Sequence, residues 1–500
     1  MKKLQFLAWP KLCTAALLGA GALFMASCAQ DGYDDKESWE TSVKNTQMVS
    51  PSTDGIKVSS SADGLTMNIV WTVVQGAGGY QFDLYNVNDA NNPVLVMSRK
   101  VDGCSVEGVP REEDTNYRLE LKTLGNSSLG NTDATSTTVK AFTTFTPTYK
   151  TIPTGTELVA WFAENPIPDS NSDTWKEFRT VNELDADTIY YDLEAGGAYT
   201  LDGLLDFKGH KVVLRSNSKT NQATVTYGTE GEISIDQCFG LKYLVFNCGN
   251  TSKDIITTSA TPTTTADSKG FYIIEDPVGV QNCTFNDVPN SLIGGAKVSD
   301  TNRFCIKTFL LNNCVVKLKT SDKMSSTAII NMYKNRGFIN SLTVQNSTFY
   351  NTSEFQAKYF IQYENNMNCN QLENKLSNSY VTISNNTFYN VVKGNQFANW
   401  SGIGGKNVTI YNVKANIFVD CSIEGQIARR IIVNKSNPEM NFAYNTYYLD
   451  GADTSEKEAS YDTGIILKSN PGFKNAAAGD FTISGDDQLA NQTGDPRWIK

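Results

Sequence analysis

The 500-residue chain carries 43 Lys and Arg against 53 Asp and Glu, and three of its lysines (Lys2, Lys3 and Lys11) fall in a removable leader, so the mature net charge is −13. A chain this acidic is a poor ligand for a phosphate backbone, which excludes nucleic acid as a partner. The length calls for more than one domain, and no segment after the leader is long and apolar enough to cross a bilayer as a helix.

Residues 1–27 read as a secretory leader. Lysines without acids come first, then an apolar run over 15–25 that is too short for a permanent membrane helix. The run ends in LFMASC, where small Ala26 and Ser27 precede Cys28. This resembles the lipobox of bacterial lipoproteins, in which the cysteine is acylated and becomes the mature N-terminus, so Cys28 is the expected lipidation site and membrane anchor. Residues 28–49 begin AQDGYDDKESWE after the cysteine, with no apolar periodicity, and read as a flexible tether. Acids directly behind a lipidated cysteine resemble the signal that carries some lipoproteins to the outer face of the outer membrane, which implies a cell-surface location.

Ten cysteines are present; Cys13 leaves with the leader, Cys28 is modified, and eight remain at wide, irregular spacing with no CxxC. Such spacing argues against zinc. The eight read as small buried hydrophobes, with room for one or two disulfides in an oxidising compartment.

Residues 50–147 alternate apolar and polar positions in short runs broken by turn residues, as an antiparallel sandwich does. Met67, Ile69 and Trp71 share one face of a strand, as do Tyr80, Phe82 and Leu84 and, later, Tyr117, Leu119 and Leu121. The order of an early buried Trp71, the Tyr80 strand and then DTNYRLEL with Tyr117 resembles a fibronectin type III domain. That resemblance implies an immunoglobulin-like sandwich and, as a function, a spacer.

Residues 150–500 are rich in Asn, Thr, Ser and β-branched side chains, and they repeat. Short apolar strands end in an Asn turn followed by an aromatic: GVQNCTF at Phe285, LTVQNSTFY at Asn346 and Phe349, VTISNNTFY at Asn386 and Phe388, VKANIFVDC at Asn416 and Phe418. Weaker copies surround Asn313 and Asn445. A parallel coil accounts for this: stacked turns bury a column of apolar side chains, and Asn at each corner tolerates left-handed dihedrals and bonds adjacent rungs. Phe285, Phe349 and Phe388 are then expected to stack as an interior ladder. The organisation resembles the right-handed parallel β-helix of the pectate-lyase-like superfamily, and the closing NPGFKN and GDFTISGDDQLANQTGDPRW resemble the end of uncharacterised β-helix lipoproteins of polysaccharide-utilisation systems. The expected fold is therefore all-β, an immunoglobulin-like (fibronectin type III) sandwich followed by a right-handed parallel β-helix.

The resemblance implies polysaccharide, a pectin-like glycan, as partner, with outer-membrane glycan-import proteins as further partners. Galacturonan hydrolysis needs clustered aspartates and a histidine; the single His210 stands in KGHK, upstream of the main repeats, and no Asp pair stands on a rung. A pectate-type lyase needs calcium held by acids and a basic Arg or Lys. The repeats offer Arg303, Lys334, Arg336, Lys406, Arg429 and Arg430. Arg429 and Arg430 are the catalytic candidates, of which at most one serves a given groove, because neighbours on a strand point to opposite faces. DSNSD, with Asp169, Asn171 and Asp173, has the opening spacing of a calcium loop but lacks its glycine and closing acid, so it reads as a polar loop and no metal site is assigned. Trp400, Tyr359 and Tyr363, placed between repeats, are the candidate sugar platform. Three functions follow: a surface lipoprotein that binds the glycan, with or without processing it, a uronate-polysaccharide lyase, and a structural or adhesive surface protein.

Overall fold

A computed structural model describes residues 43–500, apart from 62–64, 185, 300, 320–326, 353–354, 393–395, 404–406, 422–426, 429–430, 432–437 and 450–464. The leader, Cys28 and most of the tether lie outside these, as do Lys406, Arg429 and Arg430. Two compact units divide the chain, Met1–Thr146 and Pro147–Lys500. Among the described residues no helix is long and apolar enough to cross a membrane.

Among its described residues, the first unit is an antiparallel sandwich of seven strands: β1 (Lys57–Ser60), β2 (Thr66–Val70), β3 (Ala77–Asn86), β4 (Val94–Val101), β5 (Ser105–Pro110), β6 (Asn116–Gly125) and β7 (Thr138–Thr143). One sheet runs β1-β2-β5 and the other β4-β3-β6-β7. All three apolar triplets read from the sequence face inward and are buried. Trp71 packs edge-on to Tyr80 and stacks on Phe82, with ring centroids 5.3 and 6.2 Å away. The Tyr117 hydroxyl accepts a hydrogen bond from the Glu112 amide at 2.9 Å, which ties the chain ahead of β6 to the core.

The second unit is a right-handed parallel β-helix with three faces. Eleven strands form one face, nine a second and six a third, all paired in parallel among the described residues. At the N-terminal end, α1 (Leu158–Glu164) and α2 (Asp173–Val181) bring Trp161, Phe162, Trp175 and Phe178 onto Tyr149 and Tyr191. DSNSD lies just before α2: the Asn171 amide donates to Asp169 Oδ1 at 2.7 Å, and Ser172 caps the helix by accepting from the Trp175 amide. The sequence there encodes a helix start.

The repeat is legible in three layers. In Thr348–Tyr350 and Thr387–Tyr389, the strand alternation turns Thr and Tyr outward and Phe inward. Phe349, Phe388, Phe418 and Tyr447 stack in that order, with centroids 5.3, 5.1 and 5.8 Å apart. Phe285 stacks on Phe246 at 4.8 Å, but Val316 stands between it and Phe349, so the expected single ladder is two. Parallel register has brought a β-branched residue to that rung.

The corners also correct an expectation. Asn was assigned both left-handed geometry and rung-to-rung bonding, whereas the chain divides these roles between consecutive residues. Positive φ belongs to Asn282, Asn313, Asn346, Asn385, Ala415 and Tyr444. The next residue along each time, from Ser347 on, joins a buried column: Ser347 N donates to Asn386 Oδ1, Asn386 N to Asn416 Oδ1 and Asn416 N to Asn445 Oδ1, at 3.0, 3.0 and 3.1 Å. Each of the three Asn amides also donates to a carbonyl, at Val344, Ile383 or Val413. Cys283 and Cys314 occupy the same place in earlier turns, where the Cys314 amide donates to Ser347 Oγ. Cys248, Cys283, Cys305, Cys314, Cys369 and Cys421 are buried without disulfides, and burial pushes the Cys314 and Cys421 thiols up to about 12. These thiols serve as small core side chains.

Candidate functional site

The six-stranded face sets the site. Its interior column is Leu205, Ile233, Ile256, Ile293, Ile330 and Ile361, one per rung in exact register. Period-two alternation then turns Glu232, Ser234, Thr257 and Gly294 outward. Above them lies an open cleft of ≈ 650 Å³, edged by Lys253, Asp254, Lys297, Tyr333, Lys334, Arg336 and Glu364 as well as Glu232.

Gly295 lines the cleft and Gly294 precedes it in the same strand. A Cβ on Gly294 would collide with the Asp254 carboxylate, and one on Gly295 with the Asn335 amide. Their absence of side chains lets both polar groups lie against the strand. Asp254 is thereby nearly enclosed; its Oδ1 accepts from the Ser291 amide at 3.2 Å, and its Oδ2 lies 3.4 Å from Lys334 Nζ. Asn335 is buried, donates to Thr258 Oγ1 at 2.9 Å and accepts from the Gly337 amide at 3.0 Å.

Asn335 fastens the turn that carries Tyr333, Lys334 and Arg336. Gly337 N bonds Met332 O and Arg336 N bonds Tyr333 O, and Arg336 has φ +56°. The turn leaves the Tyr333 ring 47% exposed and Lys334 about as open, while Arg336 is half-buried with no side-chain partner among the described residues. Lys253 pairs with Glu230 at 3.0 Å on the rim. Burial raises the Glu232 pKa above the usual carboxylate range, and the Asp254 charge beside it adds to this, against the opposing Lys253 and Lys334. Chemically, the cleft offers cations for carboxylates, an aromatic face for a sugar ring, and a carboxyl that burial makes harder to ionise than a free one.

Of the residues singled out from sequence, Lys334 and Arg336 come together here. Arg303 does not: its guanidinium sits over the Phe271 ring at 5.6 Å. Trp400 is a correction. It is wholly buried, its Nε1 donates to the Ile427 carbonyl at 2.7 Å and its ring meets Tyr411 edge-on, so it has no face for a sugar. Tyr363 is buried as well. Tyr359 begins the strand Tyr359–Gln362 of the six-stranded face, half-buried, with Lys358 Nζ 5.4 Å over its ring. His210 does not line the cleft, and burial lowers its pKa against the pull of Asp169 and Asp236. Sequence reasoning passed over Glu232, Asp254 and Tyr333. The signal that marks them is the Gly294-Gly295 pair in a strand-rich context, which calls for close approach by another group.

The nine-stranded face is closed where this one is open. The C-terminal residues 465–500 lie along it: Phe481 packs on Tyr350 and Tyr389, and Trp498 on Phe481. Asp495 Oδ2 accepts from Thr348 Oγ1 and Trp498 Nε1 donates to the same hydroxyl, both at 2.7 Å.

Three family models match, each described only as a domain of unknown function, over residues 3–196, 197–352 and 381–498. No curated protein matches. Among solved structures, a pectate lyase of Erwinia chrysanthemi in complex with tetragalacturonic acid is 10% identical, with 68% of this chain and 86% of that one covered and a TM-score of 0.18. A family 28 exopolygalacturonase of Yersinia enterocolitica is 10% identical, with 84% and 98% covered and a TM-score of 0.22. Superposition at this level transfers no residue, and the fold rests on the strand topology itself.

Proposed function

We propose that this chain is a cell-surface lipoprotein, anchored through Cys28, whose β-helix binds an acidic, pectin-like polysaccharide in the cleft of the six-stranded face. The observation that carries the reading is a local gathering of cations: on a chain of mature net charge −13, the cleft brings together Lys253, Lys297, Lys334 and Arg336 beside three carboxylates, with Glu230 paired to Lys253 on the rim. A cluster of cations on an acidic body offers contacts to a small anion, while the body as a whole repels large acidic surfaces. Arg336 and Lys334 suit uronate carboxylates, Arg336 through a planar fork and Lys334 as a point charge. Exposed Tyr333 supplies a ring for sugar stacking, and the cleft's volume lies within the range of ligand pockets. The LFMASC leader and acidic tether support the anchor, and the sandwich serves as a spacer.

The test is affinity electrophoresis of the lipid-free protein in gels holding polygalacturonate, its methyl ester, or a neutral glucan. Retardation by polygalacturonate alone is expected. Equal mobility in all three gels would remove the binding reading and leave a structural or adhesive role.

A further inference from the structure

We propose that Glu232 sets the specificity of the cleft for acidic glycans through its protonation: neutral, it donates a hydrogen bond to a ligand carboxylate, and ionised, it repels that carboxylate. The proposal rests on the glycan reading above and adds to it a residue and a pH dependence.

Geometry comes first. Glu232 opens the strand Glu232–Ile235, and its outward side chain lines the cleft. It shares that space with Asp254, which Ser291 and Lys334 hold in place. The charges nearest Glu232 are Asp254, Lys253, Lys334 and Glu230, and the remaining charged groups lining the cleft are Lys297, Arg336 and Glu364. Two carboxylates confined beside one another cannot both stay charged as easily as in water, and Asp254 is the one with fixed partners. The proton therefore goes to Glu232, and burial raises its pKa in the same direction.

The sign follows. With Glu232 ionised the cleft lines up four cations against three carboxylates; with Glu232 protonated, against two. A uronate keeps its charge down to the ordinary carboxylate range, roughly pH 4. Between that value and the raised pKa of Glu232, the ligand is still an anion while the site has lost a competing one. Binding then takes up at most one proton, so affinity rises by at most about tenfold per pH unit as pH falls.

Calorimetric titration of the mature protein with an oligogalacturonate of defined length, at about pH 7.5 and about pH 5, tests this, with the carboxyl-reduced oligosaccharide as control. The wild type is expected to bind about threefold or more tighter at the lower pH. Glu232→Gln should bind at the higher pH as tightly as the wild type does at the lower, with a flat profile, and the reduced ligand should show no pH dependence. A Glu232→Gln variant that keeps the wild-type slope overturns the proposal, as does a wild type that binds with a flat profile. Absence of binding at both pH values removes the glycan reading and this proposal with it. Should Glu232→Gln not fold, Asp254→Asn carries the test: losing the neighbouring charge should move the midpoint of the pH profile to lower pH, and an unmoved midpoint contradicts the proposal.

Discussion

The nine-stranded and six-stranded faces of the same coil present opposite surfaces. On the former, Thr348, Thr387 and Thr446 and the Tyr rings of Tyr350, Tyr389 and Tyr448 would be exposed, but Phe473, Phe481 and Trp498 cover them, and Ile417, Val419 and Ile483 form a small core of their own there. On the latter, carboxylates and cations stand over glycine with an exposed Tyr333 at the edge. The chain spends its own segment on the face whose outward side chains are apolar enough to need burial. It leaves uncovered the face whose groups are charged and whose backbone is bare.

Substitutions of one kind should therefore have opposite consequences on the two faces. Phe481→Ala, in the closed layer, should cost about 3–5 kcal/mol. A denaturant midpoint measures this, and glycan affinity should stay unchanged. Asn416→Ala, in the column at the corner between the eleven-stranded and nine-stranded faces, should cost about 1–3 kcal/mol, because the Asn386 amide and the Ile383 carbonyl lose their partner in the interior. The same denaturant series checks it. Tyr333→Ala should leave stability within about 0.5 kcal/mol. Its affinity for polygalacturonate should nevertheless fall several-fold in the electrophoresis, the reverse of Phe481→Ala. If Tyr333→Ala destabilises as Phe481→Ala does, the two faces are alike and the contrast fails.

Most of the coil was legible because its information is one-dimensional. A strand of period two with Phe inward repeats at NSTFY and NNTFY, and stacking in register turns that repetition into a core. The sandwich was legible for the same reason, through Met67, Ile69 and Trp71. The cleft was not, because its members come from different turns: Glu232, Asp254 and Lys334 are brought together by the rung spacing of the coil, which fixes register only once the excursions between strands are known. Trp400 misled for a related reason. A tryptophan between repeats reads as exposed when the excursion is taken to be a loop on the surface, yet this one turns inward onto Tyr411 and bonds the Ile427 carbonyl. The division of corner roles was hidden because Asn385 and Asn386 are the same residue type, whereas Ala415 followed by Asn416 and Tyr444 followed by Asn445 separate left-handed geometry from the buried amide column.

The open charged face is tested most directly by the double variant Lys334→Ala, Arg336→Ala, titrated with polygalacturonate at low ionic strength against the wild type. Lys334 is exposed, Arg336 is partly buried, and neither belongs to the hydrophobic core, so thermal stability should change little. Affinity should fall by about tenfold or more, since each lost charge-assisted contact is worth about 1.5 kcal/mol or more. Wild-type affinity in a variant that folds normally would contradict the assignment of the cleft as the glycan site.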